Sequence, residues 1–221
     1  MTQKFTILFD LDGTLIDTAP DLIRAHNHVM KKFGYPTKKL GELKNAVGKG
    51  AKAMMAKANG QWKWFDEKIQ NEMTNEFLSY YGENIFQESK LINGVNEFLN
   101  WCKKENISMA VCTNKTEHLA VDLLKKIGIY DYFEYVAGYN TFEYCKPDPR
   151  HLTTIIEILD GDINKSLMIG DSETDANAAK AAEIPIILLK YGYTEKKSSE
   201  IYHNHLVKDF VGIEKIINEY L

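Results

Sequence analysis

Cysteine is scarce in this 221-residue chain, and its scarcity removes two architectures. Only Cys102, Cys112 and Cys145 occur, an odd number without a C-x-x-C pair or histidines at metal-ligand spacing, so neither a disulfide framework nor a structural zinc is expected. No apolar run approaches the ~20 residues needed to cross a bilayer. Met1 to Lys4 leads straight into a strand-like run, without the basic-then-apolar order of a targeting segment. A cytoplasmic protein with no membrane partner is the expectation. An excess of one charge is also lacking: 27 basic and 31 acidic side chains, well mixed, leave a formal charge of −4 and no basic stripe to follow a nucleic-acid backbone. There is no repeat or low-complexity stretch, and no G-x-G-x-x-G follows Phe9, which argues against a dinucleotide site.

What is present can bury a core. At 44% hydrophobic residues, the chain suits one good-sized domain or a core with a smaller insert. Short, continuous apolar runs at Phe5–Phe9, Ile107–Cys112, Tyr135–Gly138, Leu167–Gly170 and Ile184–Leu189 read as strands covered on both faces. Helix-period segments separate most of them. One follows Asp148-Pro149 with Leu152, Ile155, Ile156 and Leu159; another runs from Thr116 to Gly128 with Leu119, Leu123, Leu124 and Ile127. This alternation predicts an α/β fold with a parallel sheet.

Far more than the dozen or so residues of a simple crossover separate the first strand from the next. An insert is therefore placed at residues 17–87, with the core at 1–16 and 88–221. Its apolar stripes are helical: Leu22, Ala25, Val29, Met30 and Phe33 ending at Gly34, then Met54 to Ala58, then Trp62, Phe65, Ile69, Met73, Phe77 and Tyr80.

The chemistry-bearing residues gather at strand ends. Asp10-Leu11-Asp12-Gly13-Thr14 follows the first strand, at the carboxyl edge where open α/β sheets bind ligands. In strand geometry, residues i and i+2 face the same way with Cα atoms roughly 6.6 Å apart. Asp10 and Asp12 can then address one substrate, one attacking phosphorus and the other moving a proton to and from the leaving oxygen. Thr14 offers that substrate a hydroxyl. Gly170-Asp171-Ser172-Glu173-Thr174-Asp175 brings more carboxylates to the same kind of edge, hard oxygen ligands of the sort that suit Mg²⁺. Thr113 and Asn114 add a hydroxyl and an amide beside a helix N-terminus, which favours an anion, and Lys146 adds a cation on a proline-stiffened loop.

Together, Asp10-x-Asp12-x-Thr14, Thr113, Lys146 and Gly170-Asp171 with Asp175 resemble the four motifs of the haloacid dehalogenase superfamily. Phe9 to Leu22, the Val47-Gly48-Lys49-Gly50 loop, Thr113-Asn114-Lys115 and Tyr191-Gly192-Tyr193 are most similar to the bacterial phosphoglycolate phosphatases. The resemblance implies a Rossmann-like core with an inserted α-helical cap, Asp10 as nucleophile and Asp12 as general acid and base. It implies Thr113 and Lys146 as phosphate holders, and Mg²⁺ held by the Asp10 carboxylate, the Asp12 carbonyl and Asp171, with Asp175 in support. Asn114, Thr14, Gly48 and Lys49 complete the expected substrate contacts, with Lys49 or Lys52 reading a substrate carboxylate.

The partner implied is a small phosphorylated metabolite, phosphoglycolate first, acted on by a monomer or homodimer. Departures from the family pattern at Asn93, at Gly138-Tyr139-Asn140 and at Glu183 touch none of the proposed chemistry. A sugar-phosphate mutase shares the Asp10 and Asp12 pair, while a dehalogenase would lack Asp12. A non-catalytic phospho-ligand binder on this fold would not need the full carboxylate and lysine set.

Overall fold

The computed structural model describes residues 3–47, 50–57, 67–194 and 196–221. In chain order its strands are β1 (Thr6–Phe9), β2 (Ile16–Asp17), β3 (Lys90–Leu91), β4 (Ser108–Cys112), β5 (Tyr135–Ala137), β6 (Ser166–Gly170), β7 (Ile186–Leu189) and β8 (His205–Val207). The helices are α1 (Ala19–Lys32), α2 (Leu40–Val47), α3 (Ala51–Lys57), α4 (Glu67–Glu83), α5 (Val95–Lys104), α6 (Glu117–Ile127), α7 (Arg150–Ile158), α8 (Glu173–Ala181) and α9 (Ile213–Ile217). Six strands form one sheet in the order β5-β4-β1-β6-β7-β8, every neighbouring pair parallel. β2 and β3 form a separate antiparallel pair.

Why β1 is apolar without alternation follows from its two covered faces. Ile7 and Phe9 point into the larger cluster, with Leu99, Leu119 and Leu123. Leu8 points the other way, among Leu152, Ile155 and Ala179 of α7 and α8. Phe9 meets Phe133 and Phe98 edge-on, ring centroids 5.8 and 6.2 Å apart, and complete burial of one such side chain contributes about 1.5–3 kcal/mol.

The protein is thus α/β, a Rossmann-like parallel sheet with an inserted α-helical cap. Helices α1 to α4 pack on one another between β2 and β3. Pro20 sits in the first turn of α1, where its missing N–H costs nothing, and Gly34 takes φ +77 beyond the helix end. In α4 the buried stripe is Met73, Phe77 and Tyr81, so the expected Ile69 and Tyr80 are displaced. Ile69 is exposed, and Tyr80 stacks on His28 with centroids 3.8 Å apart. A step of four from Phe77 selects Tyr81, where the step of three selected Tyr80. Trp62, Phe65 and Ala58 lie outside the described residues. No helix among the described residues is long and apolar enough to cross a membrane.

Candidate active site

β1 lies between β4 and β6; the chain passes from β1 to β4 and β5 on one side, then crosses to β6, β7 and β8 on the other, the arrangement that opens a crevice at the carboxyl ends of the strands. Asp10 follows β1, Thr113 follows β4 and Asp171 follows β6. Three segments far apart in the chain therefore meet at one edge.

The turn after β1 depends on Gly13. Its φ is +90, and a Cβ there would stand 2.5 Å from Asp171 Oδ2 and 2.8 Å from the Tyr193 ring, so a side chain would fail on both conformation and space. Gly170 serves the neighbouring loop in the second way: a Cβ would stand 2.5 Å from that of Asp175.

Lys146 joins two of the carboxylates. Its Nζ donates to Asp10 Oδ1 at 2.7 Å and to Asp175 Oδ1 at 2.6 Å. Burial alone would pull the ammonium's pKa down, but the charges of Asp10 and Asp175 outweigh it and hold the value above its usual range. Asp10 goes the other way. Burial is the main cause, with repulsion from Asp175 and Asp12 adding to it, and the carboxyl is pushed up to about 6 despite Lys146. Asp171, also buried and repelled by Asp10 and Asp175, is raised well above the usual carboxylate value. It nevertheless accepts hydrogen bonds from the Tyr193 N–H at 2.6 Å and the Thr14 hydroxyl at 3.0 Å.

Asp10, Asp171 and Asp175 can each bring one oxygen within 4.8 Å of the others. This buried, mutually repelling oxygen set fits a hard divalent cation, which would remove the repulsion. Asp175 is the most constrained of the three. Its Oδ2 accepts from Ser172 Oγ at 2.7 Å and from the Ser172 N–H at 3.0 Å, closing a reciprocal cap on α8, while Oδ1 faces Lys146. Its geometry suits holding Lys146 and the loop in place.

Asp12 has a different partner. Lys115 Nζ lies 3.0 and 3.1 Å from its two oxygens. Thr113 is buried beside Lys115, whose N–H donates to the threonine Oγ at 3.2 Å. Asn114 Nδ2 donates to the Lys146 carbonyl at 2.8 Å, tying the β4 loop to the lysine loop. Its Oδ1 is buried without a hydrogen-bond partner.

A cavity of about 320 Å³ rises from this floor, lined by Asp10, Asp12, Thr113, Asn114 and Lys146 below and by Val47, Gly50, Lys52, Phe77 and Tyr81 of the insert above. Two expected contacts need restating. Thr14 does not line the cavity; it is fully buried with its hydroxyl on Asp171, because Gly13 turns the chain between it and Asp12. Gly48 and Lys49 lie outside the described residues, although their neighbours Val47 and Gly50 face the cavity. Lys115, Tyr81 and Ser172 were not assigned roles from the sequence. The serine had a readable signal in its three-residue spacing to Asp175.

The haloacid dehalogenase-like hydrolase family model matches residues 7–189, from β1 through β7. A phosphoglycolate phosphatase of Mesorhizobium japonicum is 37% identical over 205 residues, covering 92% of this chain and 90% of its own. Another from Agrobacterium fabrum is 36% identical over 215 residues, 97% of this chain and 92% of its own. A crystal structure from Haemophilus somnus, described as a predicted phosphoglycolate phosphatase, is similar with a TM-score of 0.91 and 30% identity, over 98% of this chain and 99% of that one. With the match running across the sheet and both sides of the insert, the chain belongs to the haloacid dehalogenase-like hydrolase family.

Proposed function

We propose that this phosphatase hydrolyses phosphoglycolate through a covalent phosphate on Asp10, with Mg²⁺ as the cation and residues 17–87 as a cap over a core of 1–16 and 88–221. The observation that carries the reading is the buried meeting of Asp10, Lys146 and Asp175 at the floor of a cavity roofed by the insert, with Asp171 within metal-sharing distance of both carboxylates. The substrate follows from relatives that carry that name and match about nine-tenths of this chain or more.

Asp10 would attack phosphorus with a carboxylate oxygen, and the bond from phosphorus to the ester oxygen would break. Asp12 would give its proton to that oxygen, releasing glycolate, then take one from water as the water oxygen attacks the aspartyl-phosphate. Inorganic phosphate leaves and Asp10 is regenerated, so the sum is ester plus water giving alcohol plus phosphate. Lys146 and Thr113 would hold the phosphoryl oxygens, while Asp171 and the Asp10 carboxylate would hold the cation with Asp175 in support. When bound, the cation neutralises charge between the phosphate and the carboxylates.

Phosphate release from phosphoglycolate, sugar phosphates and nucleotides, with and without Mg²⁺, tests the reading together with Asp10→Asn. Wild type should favour phosphoglycolate and need the metal, and the variant should be folded and inactive. Near-normal turnover by Asp10→Asn would remove the covalent step.

A further inference from the structure

We propose that Lys115 and Tyr81 form a subsite for a carboxylate on the leaving group, so that the cavity selects phosphomonoesters of short hydroxy acids. This rests on the phosphatase reading above and deepens it by assigning the contacts that recognise the substrate's non-phosphate end.

The two residues come from different parts of the chain. Lys115 lies in the loop after β4, and Tyr81 on α4 of the insert. Both line the cavity that holds Asp10 and Asp12. They are buried, with 8% and 1% of their surface exposed, respectively, and the Lys115 ammonium lies 4.4 Å from the Tyr81 ring centroid. The Tyr81 hydroxyl is buried and makes no hydrogen bond of good geometry, its polar neighbour being the Lys115 ammonium. A buried hydroxyl in that state is costly unless a ligand completes it.

Lys115 also has capacity to spare. An ammonium carries three protons, and Asp12 supplies two oxygens to it, at 3.0 and 3.1 Å. The third donor of Lys115 lies on the Tyr81 side, so the ammonium and the tyrosine hydroxyl stand side by side, next to the carboxylate that would protonate the ester oxygen. In phosphoglycolate a single methylene separates that oxygen from the acid group. A molecule with its ester oxygen at Asp12 therefore brings its carboxylate to the neighbouring position, where Lys115 and Tyr81 stand.

The charge count is favourable in the reacting complex. Lys115 places a full positive charge beside Asp12 and at the position where the ligand's acid group lies. Leu22, Phe77, Leu78 and Leu119 also line the cavity, and such apolar walls strengthen a charge-assisted hydrogen bond relative to water. Lys52 lines the cavity as well, but it is exposed, where solvent screens its charge. The buried lysine is the better carboxylate reader.

The test compares 2-phosphoglycolate with ethyl phosphate, which has the same phosphate and number of carbons but no acid. Initial rates are measured on the full-length wild type, Tyr81→Phe, Lys115→Met, Lys115→Arg and Lys52→Ala, each checked for folding by thermal melt. Tyr81→Phe keeps the ring and its packing. Its kcat/KM ratio for phosphoglycolate over ethyl phosphate should fall about tenfold, chiefly through KM. Lys115→Met should lower the ratio further, Lys115→Arg should restore part of it, and Lys52→Ala should change it less than Tyr81→Phe. A ratio unchanged in both Tyr81→Phe and Lys115→Met, or a wild type without preference for phosphoglycolate, overturns the subsite while leaving phosphatase activity on ethyl phosphate intact. A wild type that hydrolyses neither ester overturns the phosphatase reading itself.

Discussion

Asp10 and Asp175 share one buried ammonium, Lys146, with Asp171 beside them, and burial together with mutual repulsion raises the pKa of Asp10 and Asp171. Such a cluster has less positive charge than its carboxylates call for, and a divalent cation is the natural complement. Adding Mg²⁺ to metal-free wild type should raise its melting temperature by roughly 5–10 °C at a hundred times Kd. Asp171→Asn should melt no lower than wild type without metal, because it removes a repelled charge, and should lose most of the Mg²⁺ gain. Melts in EDTA and in Mg²⁺ decide this, and an undiminished gain in the variant would take Asp171 out of the metal site.

The residues of this cluster were legible in the sequence because Asp10 and Asp171 directly follow short apolar strands, Asp175 belongs to the acidic run that opens after the second of these, and Lys146 precedes a proline. Lys115 and Tyr81 were not. Lys115 meets an aspartate 103 positions away, and the helical stripe read from the sequence took Tyr80 in place of Tyr81. Lys115 stands in the Thr113-Asn114-Lys115 segment that carried the resemblance, but nothing local in that segment points to Asp12 or Tyr81 as its partner.

At the level of elements, the end of α8 departs from preference. Glu183 adopts φ +59, while the Ile184 N–H bonds to the Ala179 carbonyl and the Glu183 N–H to that of Lys180, the paired closure that usually places glycine at this position. A side chain in the left-handed region costs about 1–2 kcal/mol. Glu183→Gly should therefore stabilise the protein by about 1 kcal/mol, a rise of roughly 2–4 °C for a chain of this size. A melt at or below that of wild type would show that the side chain contributes more than its backbone costs. The glycine-like geometry could be anticipated from where the apolar helix pattern stops.

Shorter elements could not be read in this way. β2 and β3 have two residues each, too few for a period to show, and β8 has three. The half-buried side chains of β8 at the sheet edge lack the continuous apolar run of the inner strands.

Across the whole molecule, the insert is anchored through Asp21. This buried carboxylate on α1 accepts from the N–H groups of Gln87, Glu88 and Ser89 at 2.9, 3.0 and 3.0 Å and from the Ser89 hydroxyl at 2.6 Å. It also pairs with Arg24 at 2.8 Å. Burial opposes ionisation, but the hydrogen bonds from Ser89, Glu88 and Gln87 outweigh it and lower the pKa from the ordinary 3.8. A depressed carboxyl contributes stability that is complete above its unfolded value and lost as pH falls through the folded one. Asp21→Asn should cost about 2 kcal/mol at pH 7, with the difference from wild type shrinking below about pH 4. Urea midpoints across pH 3 to 7 measure it, and a gap that widens on acidification would contradict the sign.

The β2–β3 pair is the smallest piece of sheet in the protein, Ile16 against Leu91 and Asp17 against Lys90. Through it the chain leaves the core and returns at almost the same point. A segment with coincident ends can be lengthened, shortened or exchanged for another without changing the register of any strand in the six-stranded sheet. The insert's share of the cavity lining, Tyr81 and Phe77 among it, can therefore change in inheritance as one stretch of sequence while the strand-end residues of the core, Lys115 included, are left untouched.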